Sequence, residues 1–411
     1  MTGDRAVYGK YDLLAPVRDC SPIEFVSASG AAFVGADGRE YLDLSEMCKV
    51  LGQSNSAYTE AITTAVSGIN SDKEGISSAR ARLYRYLIET TNGDFSGIHL
   101  CSSGSESVEW AVRLAKKMTG RTEVLSFWNS IHGRTYLSSS ISGLPRRKAG
   151  YGPLAPGAVF AAYPRCAGCV HKGSCGDGYY ECLERMKQDY RFSSAQDLAA
   201  VIVEPYQGAD ISIPPEGYLD ALWTWAKEQG MMFIMDEIQS GLGRTGAMYC
   251  YQREDIRPDM LLLGKALGNG MHISALLVRE LPEKSALPPL TGGTGDETVA
   301  CAAACEVFRQ LEEGLLEHVQ KVSVGFLQGL RALKKCKCVF DVRGIGLVAA
   351  VEFCTEEQAA AVWRAMRERG FFTGRSGKVV HFRPPYVITE EQVNRFLVAL
   401  DEVTGTCESD G

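Results

Sequence analysis

Met231–Met271, MMFIMDEIQSGLGRTGAMYCYQREDIRPDMLLLGKALGNGM, decides the reading of this chain. Its first apolar run, Met231–Met235, delivers an acid pair, Asp236 and Glu237, to its C-terminal end. A glycine-rich loop follows, and a second apolar run, Met260–Leu263, delivers one lysine, Lys265, between glycines. Short apolar runs bounded by turn residues suit strands of a parallel sheet buried on both faces. Ligands of such sheets bind outside the carboxyl ends of the strands, so the acid and the amine stand where a site would form. A lysine flanked by Leu263, Gly264, Ala266 and Leu267 has little water around it, which favours the neutral amine. A neutral amine forms a Schiff base with an aldehyde. A carboxylate at a neighbouring strand end pairs with a pyridinium nitrogen. Together they describe a pyridoxal phosphate (PLP) site, with Lys265 holding the aldehyde and Asp236 sustaining the electron sink. On spacing alone, two structural polar residues at strand ends fit equally well.

DEIQSGLGRTG followed by PDMLLLGKALGNGMHISAL resembles the core of the class III (ornithine/4-aminobutyrate type) aminotransferases, a fold type I PLP family. The resemblance runs from about Gly30 to Ile388. It implies an α/β fold: a large PLP-binding domain with a mostly parallel sheet, plus a smaller α/β domain built from both chain ends. On this chain the expected division is an N-terminal segment of the small domain over 1–45, the large domain over 46–290 and the C-terminal small domain over 291–411. The resemblance implies Lys265 as the Schiff-base lysine, Asp236 as the pyridinium partner and Gln239 near the cofactor's phenolic oxygen. Gly241, Gly243 and Gly246 also spell GxGxxG, but no clear amphipathic helix follows, and the nearest acid at the required offset, Asp259, belongs to the entry into the next apolar run. A nicotinamide oxidoreductase is therefore the weaker reading of this loop.

Outside the central segment, Ile98–Val108, IHLCSSGSESV, breaks from a short apolar run into small residues and opens a helix over Glu106–Met118. Small residues and a helix N-terminus together accept an anion, although Ser-Gly also caps helices for structural reasons alone. With the family's SGSEA motif beside it, Ser103, Gly104 and Ser105 are assigned to the PLP phosphate. Phe127–Tyr136, FWNSIHGRTY, resembles the family's FHGRT stretch, where an aromatic ring stacks on the pyridine. Here Ile131 takes that place and offers only an aliphatic face. His132 is either a site residue or a hydrogen-bonded structural histidine.

The apolar run Leu198–Tyr206 ends at Glu204, expected to bind cofactor. Many relatives read EPxQGEGG here, and the second glutamate pairs with a substrate-binding arginine. This chain has Ala209 there with Asp210 beside it, and HFRPPYVI places His381 where the arginine stands, with Arg383 two residues on. The pair exists to hold one carboxylate at a time. Either the acceptor lacks an α-carboxylate, or Arg383 does the work from a shifted position. Ser45, Glu46 and Met47 lie on the segment that lines the family's substrate side and are substrate candidates; the alternative is an ordinary loop. In TGGTGDETVACAAA the family has a threonine that reaches the phosphate of the neighbouring subunit. Thr294 is the candidate and Thr291 its rival, which implies a homodimer with shared active sites.

Ala162–Leu183, AYPRCAGCVHKGSCGDGYYECL, carries Cys166, Cys169, Cys175 and Cys182. Four thiolates can hold zinc or an iron–sulfur cluster, and some 4-aminobutyrate aminotransferases carry a CxxC pair in this region for such a cluster. Free thiols in an insertion are the alternative.

The remaining elements are an Asp37-Gly38 hairpin within Gly30–Leu44, helices over Ser78–Thr91, Pro215–Gln229 and Glu297–Lys335, a strand pair over Val339–Phe353, and capping boxes at Thr355/Gln358 and Thr389/Gln392. The 411 residues are 45% hydrophobic and 23% charged with a net charge of -7, an ordinary globular balance without the basic clustering of a nucleic-acid or membrane-surface binder. The start, MTGDRAVYGKYDLL, lacks a signal-peptide core and no apolar run reaches membrane-spanning length, so a cytoplasmic protein is expected. The 14 cysteines then read as thiols or ligands rather than disulfides. The expected function is amino transfer between an amine or amino acid donor and a carbonyl acceptor. An aminomutase or racemase of the same family is the alternative; an iron–sulfur or zinc protein on a non-catalytic scaffold is the reading from a different class.

Overall fold

The computed structural model describes residues 23–68, 75–171, 174–176, 178–254, 256–281 and 297–407. In chain order the strands are β1 (Phe25–Ser29), β2 (Ala32–Gly35), β3 (Glu40–Asp43), β4 (Gly97–Cys101), β5 (Glu123–Phe127), β6 (Ala158–Ala161), β7 (Leu198–Val203), β8 (Met232–Asp236), β9 (Met260–Leu263), β10 (Ser274–Val278), β11 (Val339–Ile345), β12 (Val348–Phe353), β13 (Phe371–Phe372), β14 (Gly374–Ser376) and β15 (Val379–Phe382). Strands β4 to β10 form one seven-stranded sheet in the order β4-β10-β9-β8-β7-β5-β6. Only β10 runs antiparallel to its neighbours. The two apolar runs of the central segment are adjacent parallel strands, with Ile234 opposite Met260 and Asp236 opposite Leu262. The α/β architecture with a mostly parallel sheet is thus observed.

The middle strands are apolar without alternation because both faces are covered. LAAVIV of β7 and MLLL of β9 are buried at every position. On one face the helix Gly104–Thr119 packs Val108, Ala111, Val112 and Ala115 against Ile202, Ile234 and Leu262. On the other, Val201, Phe233, Met235 and Leu261 join the main core. Each fully buried Val, Leu, Ile, Phe or Met side chain among them stabilises the fold by roughly 1.5–3 kcal/mol. That helix begins two residues before the expected start, because Ser103 is its N-cap and accepts the Glu106 amide. Gly104 and Ser105 therefore belong to its first turn.

The Asp37-Gly38 hairpin forms as read, and β3 then pairs in parallel with β13 from the far end of the chain. The other C-terminal strands form a four-stranded sheet, β11-β12-β15-β14. Both expected capping boxes start helices, Glu356–Glu368 and Glu390–Thr406. The helical stretch after Glu297 is not continuous. Gly314, at φ +117°, breaks it into Thr298–Gln310 and Leu316–Ala332 with a π-helical turn between. No helix among the described residues is long and apolar enough to cross a membrane.

Candidate active site

Three parallel strands, β7, β8 and β9, and the helix after β4 converge at one edge of the large sheet. At the carboxyl end of β7 stands Glu204, at that of β8 Asp236, and just past β9 Lys265. Lys265 opens a single 3-10 turn and is held at φ 41°, a left-handed conformation that an L side chain enters at roughly 1–2 kcal/mol. The turn is pinned by Asn269, whose buried Oδ1 accepts the Leu51 amide at 2.9 Å. The lysine faces a cavity of about 550 Å³ that also contains Ser103, Gly104, Ser105, Gln239 and Arg383. Loss of water pulls its pKa down; Asp236 and Glu204 oppose that and Arg383 adds to it. The amine is therefore drawn toward its neutral, nucleophilic form.

Asp236 does not stand alone. His132 Nδ1 lies 2.7 Å from its Oδ2, both side chains being buried, and the Ile238 amide donates to its Oδ1 at 3.1 Å. His132 Nε2 is buried with no partner among the described residues. Glu204 accepts the Ile131 amide at 3.1 Å and the Gly208 amide at 3.0 Å. Burial, and then the Asp236 charge, push its pKa up to about 7, against the pull of His132. Ser105 Oγ accepts the Arg134 amide at 3.0 Å, which ties the phosphate-type turn to the segment carrying Ile131 and His132. Ile131 itself lines the cavity.

Gln239 links three candidates. Its Nε2 lies 3.5 Å from Met47 Sδ, and its Oε1 accepts from Arg383 Nε at 3.0 Å. Arg383 Nη1 stands 2.6 Å from His381 Nδ1, and Nη2 donates to the Gly208 carbonyl. His381 is kept neutral by burial and by the arginine, its pKa driven down to about 3, so it can accept that bond. Asp210 accepts the Ser212 amide on Oδ1 at 3.1 Å, closing its own turn, while its charge and that of Glu204 still act on Arg383 from a distance.

Not every candidate joins the cavity. Glu46 turns its carboxylate onto the Cys48 and Lys49 amides, at 2.6 and 3.0 Å, and is absent from the cavity lining although Met47 is present. Thr291 and Thr294 lie outside the described residues. The metal reading of the cysteine stretch gains no support: among the described residues no group of three His, Cys, Asp or Glu side chains is placed to hold an ion. Cys169 is exposed, while Cys182 enters the first turn of the helix Glu181–Ser193. Burial, with the neighbouring thiols of Cys175 and Cys166 adding to it, pushes the Cys182 thiol up to about 11. The glycines of the GxGxxG string sit in successive turns that open no helix, with Gly243 and Gly246 at φ +90° and +83°. Asp259 is taken up by the Phe233 amide and by Lys227. No dinucleotide cradle forms there.

The structure adds residues to the cavity that the sequence reading passed over: Cys48, Arg134, Arg146, Arg147, His272 and Arg375. The one signal for any of them is the Arg146-Arg147 pair in a proline- and glycine-flanked stretch.

The residues present fit PLP. A helix N-terminus supplies amides for a phosphate, and a Cβ on Gly104 would fall 2.8 Å from Ile238 Cδ1, so a larger residue there would have to displace that side chain. The amine of Lys265, the amide of Gln239 and His132, which meets the buried Asp236 carboxylate, stand along the same cavity. Comparisons with known proteins agree. The model of the family Aminotransferase class-III matches residues 15–404. The chain is 35% identical over 387 residues to the acetylornithine aminotransferase of Methanopyrus kandleri, covering 92% of this chain and 93% of that one. It is 32% identical over 394 residues to that of Aquifex aeolicus, covering 93% and 97%. Among solved structures, the taurine:2-oxoglutarate aminotransferase of Bifidobacterium kashiwanohense, in complex with PLP and glutamate, superposes with a TM-score of 0.89 at 26% identity, over 100% of this chain and 99% of that one. An aminotransferase of Bacillus anthracis shares the fold with a TM-score of 0.90 at 22% identity, over 99% and 100%. Because the family match takes in the sheet edge, the helix N-terminus and Lys265 in one register, the chain belongs to the class-III aminotransferases and is a PLP-dependent enzyme of that family.

Proposed function

We propose that this aminotransferase takes amino acid donors and carbonyl acceptors through a carboxylate held by Arg383. The observation that carries the reading is the arginine's surroundings. Its guanidinium stands in the cavity beside Gln239, His381 and the Gly208 carbonyl, all neutral, with Ala209 where relatives place an acid. A guanidinium without a carboxylate partner in a desolvated site favours an anionic ligand. When bound, PLP supplies an aldehyde for the amino group and a ring that takes up electrons. Ser103, Gly104 and Ser105 would hold its phosphate, Asp236 its ring nitrogen and Gln239 its phenolic oxygen. His132 orients Asp236 through the 2.7 Å contact. Lys265 moves the proton at the substrate carbon that carries nitrogen, a task suited to an amine of lowered pKa. Ile131, which lines the cavity, would offer the ring an aliphatic face in place of aromatic stacking.

The test is Arg383→Gln assayed with alanine, with glutamate and with an amine lacking a carboxylate. Removing a charged hydrogen-bonding partner is expected to lower kcat/KM for the amino acids by about tenfold to a hundredfold and to spare the simple amine. Equal activity on the simple amine in the parent enzyme, unaffected by Arg383→Gln, would instead select an acceptor without an α-carboxylate. Exchange of a labelled α-hydrogen without a keto product would point to the aminomutase or racemase alternative, which the named relatives do not favour.

We also read the chain as a cytoplasmic homodimer divided at about residues 45 and 290. Pairing of β3 with β13 supports the joining of both chain ends in one small domain. The resemblance of the Thr291–Thr294 stretch supports a residue shared across subunits. Sedimentation of the holoenzyme at the mass of one chain would sink the dimer.

A further inference from the structure

The cysteine stretch leaves the large sheet after β6 and returns to it through the helix Glu181–Ser193, and on the way it is fastened to both large sheets. At its start the buried Tyr163 hydroxyl donates to the Glu204 carbonyl at 2.9 Å and to that of Pro205 at 3.2 Å. Arg165 pairs with the buried Glu352 of β12, which Arg343 holds from the other side at 2.8 Å. The turn that follows seats on β11: a Cβ on Gly168, at φ +71°, would fall 3.0 Å from the Phe340 ring. At its end the Tyr180 hydroxyl donates to the Glu216 carbonyl, and its ring meets that of Tyr218 edge-on with centroids 5.6 Å apart. The stretch is a strap that runs from the active-site strand end over the C-terminal sheet and back.

Four cysteines lie on this strap, all as thiols, and the backbone brings two of them together. Gly176 and Tyr179 exchange both amide–carbonyl bonds at 2.9 Å, which folds the chain back and sets Cys175 across from Tyr180, two residues before Cys182. Cys175 and Cys182 are both half-buried against the main core. Cys175 Sγ donates to the His171 carbonyl at 3.6 Å. After burial, the charge of Cys175 raises the Cys182 thiol most and that of Cys166 less, while the amides of Leu183 and Cys182 at the helix start lower it. Cys182 therefore keeps its proton while Cys175 is charged and gives it up more readily once Cys175 is neutral. Dithiol exchange needs that order: one thiol reacts first, and its reaction prepares the second.

We propose that Cys175 and Cys182 are a modification site for exchange with low-molecular-weight disulfides of the glutathione class, and that their disulfide locks the strap. Cys175, as its thiolate, attacks one sulfur of the small disulfide, forms a mixed disulfide and releases one small thiolate, which takes up a proton. Cys182 then loses its proton to solvent, attacks Cys175 Sγ and releases the second small thiolate, which is protonated in turn. Two protein thiols are oxidised to one disulfide, and one small disulfide is reduced to two thiols. The bond closes the far end of the strap, whose near end holds the Glu204 carbonyl and the Glu352 carboxylate, so it stiffens the link between the two sheets.

The test is exposure of the reduced holoenzyme to oxidised glutathione, followed by peptide mapping and calorimetry. The expected product is a Cys175–Cys182 disulfide that retains no glutathione and melts about 1–4 °C higher than the reduced enzyme, because a loop has been closed. Cys182→Ser should stop the reaction at glutathione bound to Cys175. Cys175→Ser should slow modification of Cys182 at least about tenfold. Both reduced variants should keep the parent's cofactor absorption, which shows that they fold. The proposal is overturned if Cys182 pairs instead with Cys166 or Cys169, or if glutathione is found only on the exposed Cys169 and Cys354. It is also overturned if Cys175→Ser leaves the rate at Cys182 unchanged. A Cys175–Cys182 disulfide that lowers the melting temperature overturns the locking of the strap.

Discussion

At Lys265, backbone and side chain serve the same end. The left-handed φ turns the chain sharply after β9, and the surrounding apolar residues draw the amine toward neutrality. Lys265→Ala is expected to abolish the visible absorption of lysine-bound cofactor and to lower kcat by at least about 10²–10⁴-fold, read by spectrum and by single-turnover assay. The neighbouring acid pair divides its labour by burial and partners. Asp236 faces His132, whereas Glu237 accepts the Cys250 and Tyr251 amides at 2.6 Å each and has its pKa pushed up to about 7 by burial. A raised folded-state value means that the Glu237 contribution to stability is full below its ordinary 4.5 and is lost as pH rises through about 7. Glu237→Gln should therefore flatten the decline of apoprotein melting temperature across that window, measured by calorimetry. At this scale the lysine and the acid pair were legible because each follows its apolar run directly. The partners were not: His132 meets Asp236 across 104 residues and Gln239 meets Arg383 across 144.

Among the elements, the β14–β15 pair decides where Arg383, the proposed carboxylate-binding group, points. Gly374 lies opposite His381 in the antiparallel register, and a Cβ on it would fall 1.8 Å from His381 Cε1. Gly374→Ala is expected to displace His381 and, through the 2.6 Å contact, Arg383. The Michaelis constant for amino acid donors should rise about ten- to hundredfold while the visible spectrum of the holoenzyme stays unchanged, a split that steady-state kinetics and absorbance resolve together. The helix Gly104–Thr119 shows how a local signal is read correctly in kind and missed in extent. The small residues announced an anion-type N-terminus, but the cap is Ser103, visible once its Oγ is seen on the Glu106 amide. Gly314 shows the reverse: an apolar pattern that continues past a glycine predicts one helix, and the glycine's φ makes two.

Across the whole molecule, Arg244 joins parts that lie far apart in the chain. Its side chain, 1% exposed, donates to the Leu347 carbonyl at 3.0 Å, to that of Pro384 at 2.6 Å and to that of Glu46 at 3.3 Å, and lies over the Tyr386 ring. Arg244→Ala would leave three carbonyls without this donor and is expected to destabilise the protein by roughly 3 kcal/mol or more, read from denaturant midpoints. The same arginine sits inside the glycine-rich loop that imitates a dinucleotide motif, so the loop's glycines and arginine make room for and tie together the two sheets' connections. By itself the sequence determined the parallel sheet, the lysine and acid at its carboxyl edge, the anion-type helix start and the two capped C-terminal helices. Those are local properties: continuous apolar runs, a polar residue at each run's end, and caps three residues apart. Only the tertiary structure decided that Glu46 closes a turn while Met47 faces the cavity, and that Arg146, Arg147 and Arg383 share one cavity. Each of those depends on which distant backbones are brought together, as when Arg146 meets Ser376 across 230 residues, and no spacing along the chain encodes that distance.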